Sequence, residues 1–530
     1  MKYHRIIITM SVLIVVVHSF FLTPNFDEGL NAYFITNTID FEKPFFFELE
    51  GRIYPVLKIP VLILALCFTY LFPFSFVLPA ALYGILCLLC SYLSYKIARF
   101  YSNSRTALLS SQLFLYSLLV HNWFCPTRFE IWLLSVIMIV IYLFELYKRH
   151  RHTKYLILIS IFIGILGLPI HTNASILYVY LLVYIVFNRE IFSKKIIRIF
   201  LSFGALTTMV GIAIVFFPDP KEALGFFISY TTHGGNRLVP SIFNLKRFLF
   251  FFIWAPYKYL IGFFTLFTGV WIIENWKEFF PTISSIIRRY KNIFIYFGSA
   301  VFAIEILPTG DWSVYMVYYF FPISFIASKI FFFKISNKGR YIILAFSILA
   351  FIRFLAIHIS LSDVLDHSNV IKLVIFYLPI IALVLFINKI RLILLYGVLF
   401  LGLSLNIFYQ YHDWLVYNEV SKVYESNPDQ PIIAVPNFNW IDRSSTKYGF
   451  APFFRTSNPH ELNNGLIIMG QAESSRAYPV ARFLELCPDC DFQLVGKISS
   501  SMSLFVRTRY KGLNVYRYSG YNGQLLGKPK

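Results

Sequence analysis

The stretch that decides the fold is residues 6–22, IIITMSVLIVVVHSFFL, which runs directly into Thr23-Pro24-Asn25-Phe26-Asp27-Glu28. An apolar run of this length can cross a bilayer as a helix. Comparable runs recur as far as residue 408, and hydrophobic residues make up 58% of the 530 residues. Because a soluble chain of this size cannot bury so much apolar surface, the sequence predicts an all-α polytopic membrane bundle. Few basic residues precede the first run and no small-residue cleavage site follows it, so we expect a retained helix.

Basic residues predict the topology of this bundle. The chain has 47 Lys and Arg against 27 Asp and Glu, and the basic residues cluster in short breaks between apolar runs. Such clusters mark cytoplasmic loops. Once they are assigned in this way no basic face is left over, so we expect no nucleic-acid partner and instead contact with membrane lipids. The expected cytoplasmic breaks are Lys2–Arg5, Lys96–Arg105, Lys148–Lys154, Arg189–Arg198, Arg288–Lys291, Lys334–Arg340 and Lys389–Arg391.

The spacing of these breaks predicts about 13 membrane crossings. Residues 57–72 form a surplus apolar segment, which we expect to lie in the outer interface or to dip in and out of it. Residues 1–409 then form the transmembrane domain, with a first extracytoplasmic loop over residues 23–75. Residues 410–530 show short alternating apolar stretches, which predict a small extracytoplasmic α/β domain of about 100 residues. We expect a multi-pass protein of the cell (inner) membrane, with its N-terminus cytoplasmic and its C-terminal domain periplasmic.

The six cysteines divide into two groups. Four lie in or beside apolar segments and are interpreted as small core residues: Cys67, Cys87, Cys90 and Cys125. The other two, in Cys487-Pro488-Asp489-Cys490, would suit a short-loop disulfide if this region faces an oxidising compartment. A zinc half-site is disfavoured because no second ligand pair follows at a suitable spacing. We predict no metal site and no cofactor.

The first loop carries more acidic than basic residues, unlike the rest of the chain. Asp27 and Glu28 follow the first helix directly, at a level where the membrane restricts water. A carboxylate held there could take a proton from an incoming hydroxyl or amine. Either residue could also be an ordinary interface residue. We treat Asp27 and Glu28 as candidate catalytic residues.

The outer turns supply candidate ligands for an anion. Arg128 and Glu130 stand in the turn 121–130 at the start of a helix, where they could simply pair with each other. Alternatively, the guanidinium of Arg128 could bind a phosphate, with Glu130 orienting it or acting as a second acid. Further candidates for binding donor phosphate or substrate are Arg52, His171, His233, Arg237, Lys246 and Arg247. Arg237, Lys246 and Arg247 are cations on the expected outer side, against the positive-inside trend. An anionic lipid head group such as a polyprenyl phosphate would explain them, as would ordinary headgroup contact.

Four short motifs make the chain resemble the GT-C superfamily of membrane glycosyltransferases, which includes protein O-mannosyltransferases and aminoarabinose transferases acting on lipid A. The motifs are Asp27-Glu28, Gly51-Arg52-Ile53-Tyr54-Pro55, Arg128-x-Glu130 and Gly167-Leu168-Pro169-x-His171. The resemblance rests on their order along the chain, on the expected helix layout and on the outer C-terminal domain. The chain departs from the pattern at Glu130, where many relatives carry Asp. It also lacks the sequon-recognition motif of the oligosaccharyltransferases.

The resemblance implies a polyprenyl-phosphate-linked sugar as donor and transfer at the outer face of the membrane. It implies that Asp27 is the general base or orients the acceptor, and that a basic side chain holds the donor phosphate. Direct displacement would invert the configuration of the sugar. The acceptor could be a lipid, a glycan or a protein.

Two other functions share part of this pattern. A transporter or flippase would have a similar helix count, but it usually shows ionisable residues inside the spans and paired halves. A surface-polysaccharide polymerase or ligase also uses lipid-linked sugars outside the cell, but tends to place its essential cations in a large late loop. Here the acidic loop comes first, and the chain ends in a separate domain. This order favours the glycosyltransferase.

Overall fold

The computed structural model describes a defined part of the chain. The described residues are 2–24, 32, 35–36, 46–49, 52–55, 59–120, 129–170, 174–216, 221, 269–303, 317–332, 336–345, 348, 391–434, 438, 440–441, 463–470, 489–498 and 513–520. They form two compact units. The first consists of residues 1–15, 85–124 and 129–404, and the second of residues 16–84, 125–128 and 405–530.

Helices dominate the described residues. In chain order they are α1 (Lys2–Phe20), α2 (Ile59–Tyr70), α3 (Val77–Tyr101), α4 (Ser104–Val120), α5 (Phe129–His150), α6 (Thr153–Ile161), α7 (Ser175–Phe187), α8 (Lys194–Phe216), α9 (Trp276–Arg289), α10 (Lys291–Val301), α11 (Val317–Ile330) and α12 (Arg391–Glu425). A π-helix (Phe162–Gly167) and a short helical end (Leu168–Ile170) continue α6, and a 3₁₀ turn (Arg189–Ile191) follows α7.

Within the described residues, four helical stretches are long and apolar enough to cross a membrane: Val77–Tyr101, Glu130–His150, Thr153–Ile170 and Lys194–Ile214. This agrees with the predicted helical membrane bundle. The count of about 13 crossings also depends on residues outside the described ones and stays a prediction. The twelve residues of α2 would rise only about 18 Å, less than the roughly 30 Å hydrocarbon core. The surplus segment 57–72 is thus too short in the structure for a straight span.

The first unit buries an aromatic core and exposes an apolar face. The rings of Phe144 and Tyr184 lie 4.3 Å apart, and those of Tyr180 and Tyr296 lie 5.8 Å apart. Helices α4 and α11 pack together, as do α7 and α10, and α8 packs along α6 and the π-helix. The outer face of α8 carries exposed large apolar side chains such as Met209. An exposed apolar surface of this kind is suited to lipid.

Four of the predicted cytoplasmic breaks lie together at one end of the first unit, named here the basic end: those at residues 96–105, 148–154, 189–198 and 288–291. Three cations there each donate to a carbonyl in the last turn of a neighbouring helical segment: Arg149 to Phe100 (3.1 Å), Arg151 to Ile191 (3.1 Å) and Lys291 to Phe187. The last carbonyls of a helix lack partners within it and carry the negative end of the helix dipole. The cations therefore stabilise the helix ends.

A buried carboxylate organises the basic end. Glu145 is 2% exposed and accepts hydrogen bonds from Nδ2 of Asn292 (2.6 Å) and from the hydroxyl of Tyr101. Nδ2 of Asn188 in turn lies 3.4 Å from Oδ1 of Asn292. These contacts join α3, α5 and α10 and the end of α7. Each of these polar side chains is hydrogen-bonded to another group of the protein, which lipid could not provide.

In the second unit, the end of α1 lies beside the middle of α12. His18 and Gln410 are hydrogen-bonded at 2.9 Å, and the ring of Phe21 contacts the rings of Tyr411 (5.1 Å) and Trp414 (5.7 Å). Aromatic residues of this kind concentrate at membrane–water interfaces.

The second unit also contains two sheets. Strands β1 (Phe46–Leu49) and β2 (Arg52–Pro55) form an antiparallel hairpin. Strands β3 (Ile432–Ile433), β4 (Asn464–Gly470), β5 (Asp491–Ile498) and β6 (Leu513–Ser519) form a sheet of order β3-β4-β6-β5. The pair β3–β4 is parallel and the other two pairs are antiparallel. Val416 and Val420 of α12 pack into the core of this sheet. The described residues give strands for the C-terminal region, but they do not establish an α/β domain.

Two further contacts define the second unit. The buried ring of Trp440 stacks on Phe74 at 5.1 Å and is flanked by Phe68 and Phe76. Cys490 is disulfide-bonded, whereas Cys67, Cys87 and Cys90 are thiols. The predicted pairing of Cys490 with Cys487 stays a prediction, because Cys487 lies outside the described residues.

The predicted orientation can be tested with reporter fusions. Alkaline phosphatase, which needs disulfides, is expected to be active when fused after Lys530 and inactive when fused after His152, because the basic end should face the cytoplasm. The measurement is phosphatase activity in whole cells, normalised to expression. A β-galactosidase fused at the same two positions serves as control and should give the reverse pattern. Phosphatase activity after His152 would contradict the orientation.

Candidate active site

Glu130 is the one predicted catalytic residue that lies within the described residues. It is the second residue of α5, whose 22 residues rise about 33 Å, roughly the thickness of the hydrocarbon core. Glu130 therefore lies at the end of the first unit opposite the basic end, which is the predicted outer end. The helix dipole favours a carboxylate in this first turn.

Glu130 is a buried ionisable residue. Its side chain is 3% exposed, and Ile131, Leu133 and Leu134 of the same helix are fully buried. An ionisable group buried in a membrane bundle is costly and commonly marks a functional site. Glu130 is therefore placed where a second acid or an orienting carboxylate would act. Its relation to Arg128 stays a prediction, because Arg128 lies outside the described residues.

The segment that leads to His171 ends at the same predicted outer end. Helix α6 begins at the basic end with Thr153, and its continuation reaches Ile170 after 18 residues, about 27 Å further on. The short helical end Leu168–Ile170 packs against α5 and α8. His171 itself lies outside the described residues, but it follows Ile170 directly in the sequence. The structure thus brings the segments carrying two of the resembling motifs to one end of the unit.

Arg52 belongs to the second unit. It begins β2 and pairs with Leu49 across the hairpin, with Glu50 and Gly51 between the two strands. The apolar helix α2 begins four residues after Pro55, as the motif predicts. The other predicted site residues lie outside the described residues: Asp27, Glu28, Arg128, His171, His233, Arg237, Lys246 and Arg247. Their grouping into one site stays a prediction.

The sequence analysis did not single out two buried polar groups. Glu145 lies near the end of the apolar run of α5, and His18 lies in the last turn of α1, 1% exposed and stacked on Tyr83. In both cases the signal was a polar side chain inside an apolar run. Among the described residues, no group of three or more His, Cys, Asp and Glu is placed to hold a metal ion.

Comparisons with known proteins agree with this arrangement. A family model described as dolichyl-phosphate-mannose-protein mannosyltransferase matches residues 60–214. The fold is similar to the crystal structure of ArnT from Cupriavidus metallidurans bound to undecaprenyl phosphate, with a TM-score of 0.63 and 11% identity over 100% of this chain and 99% of that chain. Both findings support the resemblance to the GT-C membrane glycosyltransferases, the family model over residues 60–214 and the crystal structure at the level of the fold. No curated protein sequence matches the chain.

The match to the mannosyltransferase family model covers the part of the GT-C-like chain that holds Glu130 and the approach to His171. It extends from α2 to α8 and therefore includes α5, the π-helix and the short helical end. The candidate residues Asp27 and Arg52 precede it, and the loop with His233 follows it.

The two buried glutamates of α5 provide a matched test of the site. We expect Glu130→Gln to lower donor turnover by about 10²-fold or more, the range for loss of an acid–base group, without changing thermal stability in detergent. We expect Glu145→Gln to lower thermal stability, because its amide NH₂ would face the donors of Tyr101 or Asn292. Turnover per folded molecule of Glu145→Gln should stay close to wild type. Normal turnover in Glu130→Gln together with reduced turnover per folded molecule in Glu145→Gln would contradict the placement of the site.

Proposed function

We propose that this chain is a membrane glycosyltransferase that moves a sugar from a polyprenyl-phosphate-linked donor to a lipid, glycan or protein acceptor at the outer face of the membrane. The observation that carries the proposal is the likeness in fold to ArnT over the whole chain, in a structure that contains undecaprenyl phosphate. The match of residues 60–214 to a dolichyl-phosphate-mannose-dependent family supports the same donor class. The identity of the sugar is left open.

The reaction is a direct displacement at the anomeric carbon of the sugar. An acceptor hydroxyl or amine attacks from the face opposite the phosphate and forms the new bond to this carbon. The bond from the carbon to the phosphate oxygen breaks, and its electron pair leaves with the polyprenyl phosphate. The acceptor proton passes to a carboxylate. Charge is conserved, and the configuration of the sugar is inverted.

Asp27 is the proposed general base, since it follows α1 in the sequence, on the side that is predicted to be extracytoplasmic. A positioned base of this kind contributes about 10²- to 10⁴-fold to the rate. Glu28 and Glu130 are the proposed alternatives or the second acid of the site. The buried position of Glu130 at the start of α5 supports its inclusion.

The leaving phosphate carries negative charge that a cation can stabilise in the transition state. Arg128 is a strong candidate by chemistry, because a guanidinium binds phosphate oxygens in a bidentate manner. The remaining proposed ligands of the donor phosphate are Arg52, His171, His233, Arg237, Lys246 and Arg247. Neither the described residues nor the comparisons favour a transporter or a polysaccharide polymerase over this function.

The proposal is tested with the purified protein in detergent, radiolabelled polyprenyl-phosphate sugars and Asp27→Asn. We expect wild type to consume a donor and the folded variant to be slower by about 10²-fold or more, because the amide cannot accept the proton. Loss of label from the lipid is the measurement, with gel filtration as the check of folding. The control is Glu419→Gln, which changes an exposed carboxylate paired with Lys422 at 2.6 Å and should behave as wild type.

Three outcomes separate the parts of this proposal. Donor consumption with a slow Asp27→Asn supports both the function and the base. Donor consumption with a fully active Asp27→Asn would contradict Asp27 as the base and direct attention to Glu28 and Glu130. A folded wild type that consumes no donor from a panel of sugars and acceptors would contradict the glycosyltransferase function itself.

A further inference from the structure

Helix α9 carries its large apolar residues on one side. With a rotation of about 100° per residue, they fall within an arc of about 120°, named here the apolar stripe. The stripe consists of Trp276, Phe279, Phe280, Ile283, Ile286 and Ile287. The rest of the helix circumference carries three cations and one acid, namely Lys277, Arg288 and Arg289 against Glu278. A helix divided in this way is suited to the boundary between lipid and water.

Helix α9 is separated from its neighbours by a non-helical residue at each end. Asn275 precedes it with φ −116° and ψ 35°, and Tyr290 follows it with φ −110° and ψ 23°. The helix can therefore run in a different direction from the helices before and after it. Its 14 residues rise about 21 Å, less than the roughly 30 Å hydrocarbon core. Helix α9 is thus too short to cross a bilayer.

The C-terminal end of α9 is fixed at the basic end of the first unit. The next residue, Tyr290, is buried, and its ring contacts the rings of Tyr101 (5.9 Å) and Phe325 (5.1 Å). Lys291 follows and donates to the carbonyl of Phe187, one of the contacts that define the basic end. This end of α9 therefore cannot move away from the bundle without breaking these contacts.

The N-terminal end of α9 is held by a second contact. Glu274, two residues before the helix, accepts hydrogen bonds from the N–H of Ser336 (3.0 Å) and from its hydroxyl. Ser336 lies in the predicted cytoplasmic break Lys334–Arg340, which follows α11. Nζ of Lys329, in the last turn of α11, lies 5.2 Å from the ring centre of Tyr290. Both ends of α9 are therefore tied to segments that end at the basic end.

The protein leaves part of the apolar stripe uncovered. Trp276 is 58% exposed and Ile287 is 43% exposed, and they lie in the first and last turns of the helix. The cations Lys277, Arg288 and Arg289 are exposed as well. A helix fixed at the level of a membrane surface has the acyl chains of the adjoining leaflet as its nearest apolar phase. The anionic headgroups of a cytoplasmic leaflet complement its cations.

We propose that α9 lies in the surface of the cytoplasmic leaflet, where its apolar stripe enters the lipid and Lys277, Arg288 and Arg289 bind anionic phospholipid headgroups. The partner is the lipid surface of the protein's own membrane. This contact is distinct from the proposed binding of a donor lipid, which takes place at the outer face. It sets the depth of the basic end in the leaflet, and it holds whichever sugar the protein transfers.

Nitroxide labels at two nearby positions test the insertion. Ile287→Cys places a label on the apolar stripe and Ser285→Cys places one about 200° away, on the polar side. The full chain is studied in nanodiscs of phosphatidylcholine and phosphatidylglycerol, where both membrane faces are accessible. We expect the label at 287 to collide mainly with oxygen, which concentrates in lipid, and the label at 285 mainly with a water-soluble nickel chelate. Wild type treated with the same reagent gives the background from the native cysteines.

Two results of the labelling would overturn the proposal. Equal access of the nickel chelate to both labels would mean that the stripe faces water. Protection of the label at 287 from both oxygen and the chelate would mean that a second copy or another protein covers the stripe.

The role of the cations is tested with Arg288→Gln/Arg289→Gln, which leaves the stripe intact. The purified proteins are titrated with phosphatidylglycerol in detergent, and the concentration that gives half of the maximal rise in thermal stability is measured. A cation near an anionic lipid surface contributes about fivefold in affinity, so we expect this concentration to rise at least about fivefold. Lys497→Gln/Arg517→Gln, which removes two exposed cations from strands β5 and β6, should match wild type.

An unchanged concentration in a folded Arg288→Gln/Arg289→Gln would overturn the proposal, as would an equal rise in both double variants. Lys277→Gln at the other end of α9 repeats the test if the first double variant does not fold. It should also raise the concentration, and wild-type behaviour would again overturn the proposal. Neither experiment measures sugar transfer, so its outcome is independent of the proposed function.

Discussion

The structure depends on one constraint, namely that a backbone polar group within lipid must find its partner inside the protein. The basic end shows one solution, where Arg149, Arg151 and Lys291 donate to carbonyls that end neighbouring segments. The hydroxyl of Thr207 shows another, because it reaches the carbonyl of Ser160 beside the π-helix. The residues that satisfy helix ends and interruptions therefore also join the helices to one another.

Helix α5 carries two buried carboxylates, Glu145 and Glu130, which meet this constraint in different ways. Glu145 accepts hydrogen bonds from Tyr101 and Asn292 and so joins three helices at the basic end. Glu130 lies at the other end of α5, in the first turn, where the helix dipole stabilises it. Burial alone does not distinguish a structural carboxylate from a catalytic one. If the donor and acceptor meet at the outer face, as proposed, position along the membrane normal distinguishes them, because only Glu130 lies at the predicted outer end.

Much of the architecture could be predicted from the sequence because it follows from local properties. Apolar runs predict the helices, and basic clusters predict which connections between helices lie on the same side. The structure brings Arg149, Arg151 and Lys291 to one end. The Glu145 network could not be predicted, since Tyr101 and Asn292 come from distant parts of the chain. For the site, Glu130 lies at the helix start as predicted, whereas the joint placement of Asp27 and the predicted cations depends on residues outside those that the structure describes.

The π-helix shows why a short motif can carry more structural meaning than its letters suggest. Pro169 signals a break in the sequence, but whether it kinks, ends or re-registers a helix depends on what packs beside it. Here Gly211, more than forty residues later, allows α8 to approach closely enough to hold the re-registered form. This constraint acts on how closely two helix backbones approach and on how each helix ends. Only a few side chains determine either. A shared fold with ArnT at 11% identity is compatible with this, because most positions on lipid-facing helices need only remain apolar.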